Sequence, residues 1–269
     1  MPSIAAFMRA GALALLLSSP AFAETTLTVA GSGGAIAIVK RLADDHAART
    51  VGVTFRFPPS LGTSGGIAAL GAGAIDLALL ARPLSEAEAT KGLVTVPLCR
   101  TPLVFVTARR NGAVSLSSKQ LLAMLAQGIG TWPDGTAARI VLRPPIETDT
   151  VLLRLQIDGF SSAYASAKDV AGAPVAATDK ENLDTIEASA GSFGWTGLAT
   201  MRAEARQLAA IVLDGIDASA DALATGRYPY AKPYYLAHRA DASPATIAFV
   251  AHVKGPEAGA ILRNLDCIP

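Results

Sequence analysis

Apolar and polar positions alternate in two different periods along the first third of the chain. Leu27-Thr28-Val29-Ala30 is a β-type run that ends in Gly31-Ser32-Gly33-Gly34, and Ala35 to Ala48 then carries apolar residues at helical spacing. The unit repeats. Val51 to Phe57 predicts a strand, Gly62-Thr63-Ser64-Gly65-Gly66 a turn, and Ile67 to Leu70 a short helix ended by Gly71 and Gly73. Ile75 to Leu80 follows as a short buried strand. Strands alternating with helices predict an α/β protein whose sheet contains parallel strands and is flanked by helices.

Beyond this region the pattern changes. Val94 to Thr107 reads as one long extended stretch, and Pro97 and Pro102 inside it argue against a central strand and for a segment crossing between two lobes. Ser117 to Gln127 reads as helix, Ile140 to Leu142 as strand, Thr150 to Phe160 as helix and Phe193 to Leu198 as extended. Pro229 to His238 is a second extended stretch rich in Pro and Tyr, followed by an amphipathic helix from Pro244 to about Leu265. Two crossings predict a discontinuous first lobe, residues 24–100 and 236–269, around a second lobe, residues 101–235.

Residues 1–23 stand apart. Arg9 precedes the apolar run Ala10 to Leu17, and Ala21-Phe22-Ala23 offers a small-x-small cleavage pattern. Ser18, Ser19 and Pro20 end the run well short of the ~20 residues a membrane span needs, which predicts a signal peptide cut after Ala23 and an exported, periplasmic protein. Of 269 residues, 51% are hydrophobic and 17% charged, a globular composition. Removing residues 1–23 leaves 22 basic and 22 acidic residues, a balance that gives no general pull on nucleic acid.

The two glycine turns are the first candidates for chemistry. Each places hydroxyls and backbone N–H groups at a helix start, where the helix dipole favours an anion. A lone turn of this kind is more often ordinary N-capping, but two at consecutive strand ends lie where ligands of open α/β sheets bind. Gly62-Thr63-Ser64-Gly65-Gly66 also matches G-x-S-x-G, so a secreted hydrolase using Ser64 is an alternative. That match is weak, because Pro58-Pro59-Ser60-Leu61 separates the turn from its strand, and His238 and His252, the two histidines placed after Ser64, fall in segments better explained as a crossing and a helix surface. The three histidines and two cysteines show no metal-ligand spacing, so neither metal nor cofactor is expected.

The motifs in order resemble those of the phosphate-binding periplasmic proteins of ABC transporters, across nearly the whole mature chain. Gly31-Ser32-Gly33-Gly34 and Gly62-Thr63-Ser64-Gly65-Gly66 resemble the family's two glycine turns, and Asp76 to Ser85 the segment that closes the first-lobe half of its site. Leu121 to Trp132, Gly191-Ser192-Phe193-Gly194-Trp195, Leu213-Asp214-Gly215-Ile216 and Gly226 to Leu236 resemble its later motifs, the last being the most specific. The resemblance implies a two-lobed type II periplasmic-binding-protein fold, closure on a dehydrated oxyanion, most readily phosphate, and docking on a membrane permease. It implies a receptor rather than an enzyme, expected as a monomer; a sensory protein of the same fold shares every one of these features.

Carried over residue by residue, the site uses Ser32, Thr63, Arg143, Thr148 and Thr150, with N–H groups of Gly34, Ala35 and Ser64, the neighbouring Gly33, and Arg82 as a weaker contributor. Arg143 supplies a planar fork able to hold two oxygens. Two departures stand out. Ala81 occupies the place of an acid or serine that accepts the ligand's proton, and the motif R-x-x-G-S-G-T appears as Arg143-Pro144-Pro145-Ile146-Glu147-Thr148-Asp149-Thr150, with both glycines lost and two acids gained. Glu147 and Asp149 either replace the missing acceptor or cap the helix that follows. Trp132, Trp195, Tyr234 and Tyr235 read as core or hinge packing rather than as a ligand box. Cys99 and Cys267, the only cysteines, both enter an oxidising compartment and are expected to pair.

Overall fold

The computed structural model describes residues 24–109 and 114–269; the expected signal peptide, 1–23, lies outside them. The first elements are β1 (Thr25–Gly31), α1 (Gly33–Arg49), β2 (Val53–Arg56), α2 (Gly62–Gly71), β3 (Leu77–Leu80) and α3 (Glu86–Ala89). The long strand β4 (Leu93–Thr107) leads to β5 (Ser115–Leu116), α4 (Ser118–Gln127), β6 (Ile129–Thr131), β7 (Ala137–Ile140), α5 (Thr148–Gln156), α6 (Phe160–Lys168) and α7 (Asp179–Glu187). The chain returns through β8 (Ser192–Gly197), α8 (Leu198–Ala203), β9 (Ala209–Ala210), β10 (Val212–Leu213), α9 (Ala220–Ala224), β11 (Ala231–Arg239), α10 (Pro244–Val253) and α11 (Pro256–Asn264).

One mixed sheet runs through the molecule in the order β2-β1-β3-β11-β4-β8-β7-β6, with β9 alongside β4. β1 pairs in parallel with β2 and β3, as the βα units predict, and β11 runs antiparallel to both β3 and β4. β4 therefore crosses between two ends of the molecule: Leu93–Pro102 pairs with β11, and Leu103–Thr107 pairs with β8. It is nevertheless a central strand, against the expectation from its prolines. Pro97 stands opposite Tyr235 beside a shift of register, and Pro102 faces Ala231 at the end of the ladder, so each missing N–H falls where the pairing is already irregular.

Two large apolar cores lie at the two ends of this sheet. The first packs Leu27, Val29, Ile38, Leu42, Leu236, Phe249 and Leu262 between β1, α1, β11, α10 and α11. The second packs Leu103, Phe105, Leu121, Leu153, Phe160 and Trp195 between β4, α4, α5, α6 and β8. Trp132 belongs to the second core and Tyr234 to the first, so these aromatics are packing residues. Ala199 and Ala203 of α8 reach back into the first core, against α1.

The helix expected over Thr150 to Phe160 ends at Gln156, and after Gly159, with φ of +84°, a further helix α6 begins; the one expected from Pro244 to about Leu265 is split into α10 and α11 by Lys254 and Gly255, with Pro256 opening α11. Cys99 on β4 and Cys267 after α11 are joined by a disulfide. The tail is held there also by its backbone, since Ile268 and Arg100 exchange hydrogen bonds of 2.7 and 2.8 Å.

Candidate functional site

The N-terminal ends of α1 and α2 face the N-terminal ends of α5 and α7 across a cavity of about 340 Å³. Ser32, Ser60, Thr63 and Ser64 line it from one side, and Arg143, Glu147, Thr148 and Asp179 from the other. Leu61 and Ile146, 46% and 89% exposed, form its two apolar lips. A cavity of about 430 Å³ beside Arg109, Thr136 and Glu187 is larger, but its arginine is already paired with Asp134 and stacked on Trp132, so it presents no free charge.

The glycine run 62–66 is the first turn of α2 rather than a loop before it. Leu61 stands at the N-cap and offers no capping side chain, so beyond the Gly62 N–H the first-turn N–H groups of α2 are left to the cavity. Thr63 is tied down: its hydroxyl accepts the Ala81 N–H at 3.1 Å, which fixes α2 against the end of β3. Ser60 donates to the Gly31 carbonyl at 3.0 Å and accepts from the Gly62 N–H at 3.3 Å. Gly31 has φ of +135°, and a Cβ there would stand 2.2 Å from the Leu79 carbonyl oxygen, so only glycine lets β1 turn into α1 at this point.

The opposite wall is a cluster of charges. Arg143 is buried, with Nη2 at 3.4 Å from Glu147 and Nη1 at 3.5 Å from Asp179, while its Nε and Nη1 have no hydrogen-bond partner among the described residues. Glu147 accepts the N–H groups of Asp149 at 2.9 Å and Thr150 at 3.2 Å, so it caps α5. Asp149 faces away from the cavity, where Lys232 of β11 donates to it at 2.7 Å. Asp179, the first residue of α7, lies 3.6 Å from Lys232 and leans over the start of α1. A Cβ at Gly33 would stand 2.7 Å from its Oδ2, and one at Gly34 would stand 2.7 Å from the Tyr234 hydroxyl and 2.9 Å from Lys232 Nζ. Those two glycines admit the charge cluster to the helix end.

Burial and charge pull these groups in different directions. Burial pushes the Asp149 carboxyl above its ordinary range despite Lys232. Burial acts the same way on Asp179, but Lys232 and Arg143 together outweigh it and hold that group below the usual range. Burial and the adjacent Asp149 carboxylate push Glu147 up to about 7 against the pull of Arg143. Burial would lower Lys232, and the carboxylate of Asp149 reverses this and holds it well above its ordinary value.

Several expected site residues lie elsewhere. Arg82 is paired with Glu88 through hydrogen bonds of 2.8 and 3.0 Å and does not line the cavity. Ala35, Ala81, Asp149 and Thr150 are buried behind the wall. Gly33 and Gly34 lie beneath Asp179 rather than on the cavity surface. No histidine lines the cavity near Ser64: His238 Nδ1 lies 2.8 Å from the Arg239 carbonyl oxygen, and His252 lies 3.3 Å from Asp45. Two residues of the cluster are not among the expected site residues: Asp179, which no motif covers, and Lys232, which lies inside the motif Gly226 to Leu236. Thr178 accepts the Glu181 N–H as an N-cap, and the T-x-x-E pattern marked that helix start. Lys232 alternates with Tyr234 and Leu236 on the buried side of β11, a period-2 signal for an inward lysine.

A sheet of mixed direction, two cores joined by crossing strands and a polar cavity between helix ends define a type II periplasmic-binding-protein fold, the architecture of solute-binding proteins. The chain belongs to the PBP superfamily domain family, whose model matches residues 18–256. No curated protein matches the chain in sequence. Among solved structures it is similar to a Clostridium perfringens protein assigned as a phosphate ABC transporter substrate-binding protein and solved with bound phosphate, with a TM-score of 0.76 at 14% identity over 91% of this chain and 99% of that one. It is also similar to an ABC-type phosphate transport receptor from Vibrio cholerae, with a TM-score of 0.61 at 20% identity over 90% of this chain and 99% of the other. A third is the high affinity periplasmic phosphate-binding protein PfluDING, solved with phosphate, with a TM-score of 0.66 at 15% identity over 91% and 90%.

Proposed function

We propose that this protein is an exported solute receptor that captures a tetrahedral oxyanion of the phosphate type between its two lobes and presents it to an ABC transporter permease. The observation that supports this reading is the N-terminus of α2, without an N-cap side chain, set across one cavity from buried Arg143, whose Nε and Nη1 have no hydrogen-bond partner among the described residues. Helix N–H groups, hydroxyls and a guanidinium are the donor set that replaces the hydration shell of an oxyanion. The N-terminal segment up to Ala23 supports export, and solute-binding proteins of this fold include phosphate transport receptors. The reading involves no catalysis, and no histidine lines the cavity beside Ser64.

Titration calorimetry and thermal unfolding with phosphate test it. A phosphate-type anion at 100 times its dissociation constant is expected to raise stability by about 2.7 kcal/mol. Arg143→Lys keeps the charge but loses the fork and is expected to weaken binding at least tenfold, with the fold monitored by circular dichroism. Absence of any shift with phosphate, phosphonates, arsenate, sulfate, molybdate and tungstate would refute the oxyanion reading.

A further inference from the structure

The two walls of the cavity carry opposite polarity. One wall gives the positive end of α2 and the hydroxyls of Ser32, Thr63 and Ser64. The other gives Glu147 and Asp179 on either side of Arg143, at 3.4 and 3.5 Å. Lys232 is divided between Asp149 at 2.7 Å and Asp179 at 3.6 Å and does not itself line the cavity. Two carboxylates thus share one cavity-lining cation. Arg143, 2% exposed, lines this wall, and its buried Nε and Nη1 have no hydrogen-bond partner among the described residues, so the guanidinium keeps donor capacity that the protein leaves unused.

A bare dianion in this space would set its charge against Asp179 and, where it is ionised, Glu147. A dipolar solute would not, because its anionic head can take the α2 end and Arg143 while an ammonium takes Glu147 and Asp179. Size permits such a solute, because the cavity, at about 340 Å³, is open on one side and has room for a short aminoalkyl arm beside a tetrahedral head.

We propose that the solute is zwitterionic, an aminoalkyl phosphonate or aminoalkyl phosphate, with Glu147 and Asp179 as the partners of its ammonium; this rests on the oxyanion reading above and narrows it. The matched pair 2-aminoethylphosphonate and ethylphosphonate, which differ in the amine alone, tests it by calorimetry on the unaltered protein, with inorganic phosphate alongside. The aminated compound is expected to bind at least tenfold more tightly than ethylphosphonate, and Glu147→Gln or Asp179→Asn is expected to remove most of that difference. Equal or tighter binding of ethylphosphonate or phosphate overturns the proposal and leaves the oxyanion reading standing. A preference for the amine that survives in both variants overturns the assignment of Glu147 and Asp179. Binding of none of the three overturns this proposal, and the oxyanion reading falls with it only if arsenate, sulfate, molybdate and tungstate fail to bind as well.

Discussion

Lys232 and Asp149 form the most deeply buried ion pair of the site, with side-chain exposures of 1% and 0%. A buried pair is costly to break from one side because the survivor keeps its charge without a partner. Lys232→Met is expected to lose about 3–5 kcal/mol in urea unfolding, and Lys232→Met with Asp149→Leu to recover most of that loss. Glu147 makes a different prediction. Its folded-state value is raised from 4.5 to about 7 by burial and by Asp149, so the folded protein binds this proton more tightly than the unfolded chain does. Its contribution to stability is therefore complete below about pH 4.5 and is lost as pH rises through about 7. His46 acts in the opposite sense: burial and the neighbouring His252 lower its value, so its contribution is present above the ordinary histidine range and lost as pH falls. The two slopes overlap. The difference between ligand-free wild type and Glu147→Gln, measured by unfolding from pH 4 to 8, isolates the glutamate, and a difference that does not change with pH would refute its titration.

Among the elements, α2 is the one whose position matters most to the proposed function, in which its N-terminus seats the anion. Its seating depends on Gly66, where a Cβ would stand 2.7 Å from the Gly31 Cα, a backbone atom that cannot yield. Gly66→Ala is expected to lose about 1–3 kcal/mol by forcing α2 off β1 and to weaken anion binding with it. Gly71, at the other end of α2, has nothing within 4 Å of such a Cβ. Gly71→Ala is expected to be neutral or to stabilise by up to about 1 kcal/mol, without effect on binding. Elements with strong periodicity were legible in the sequence: β1, α1, β3, β4 and β11 fall close to where the apolar pattern puts them. The helix α7 was not legible from its apolar pattern, because Leu183 and Ile186 are the apolar residues in a nine-residue stretch otherwise made of Asp, Lys, Glu, Asn and Thr, and the capping pattern at Thr178 was its one signal. Losing α7 lost Asp179. The half of the cavity built from local motifs, Ser32, Thr63, Ser64, Arg143 and Thr148, could be read from the chain. The charge cluster could not, because Asp149 and Lys232 meet across 83 positions and no local pattern records such a meeting.

At the scale of the whole molecule, a single sheet joins both cores, with β4 and β11 paired from Leu93 to Pro102 where the chain crosses. The strands on which any opening of the cavity would turn are thus hydrogen-bonded to each other. The disulfide between Cys99 and Cys267 spans 168 positions. Chain-entropy arguments give a link of this span about 4 to 5 kcal/mol, so Cys99→Ser with Cys267→Ser is expected to lower the unfolding free energy by up to that amount, read by urea unfolding of the oxidised and double-variant proteins. The same bond makes a closed covalent ring of everything from β4 to the tail, including the whole second core. A protease that cuts once inside the ring therefore opens a circle instead of releasing a piece. With a cleavage site placed in the exposed turn Pro133-Asp134-Gly135, the cut protein is expected to run as one species on a denaturing gel without reductant and as two after reduction. The second core then keeps both of its covalent attachments to the first even when its own chain is broken.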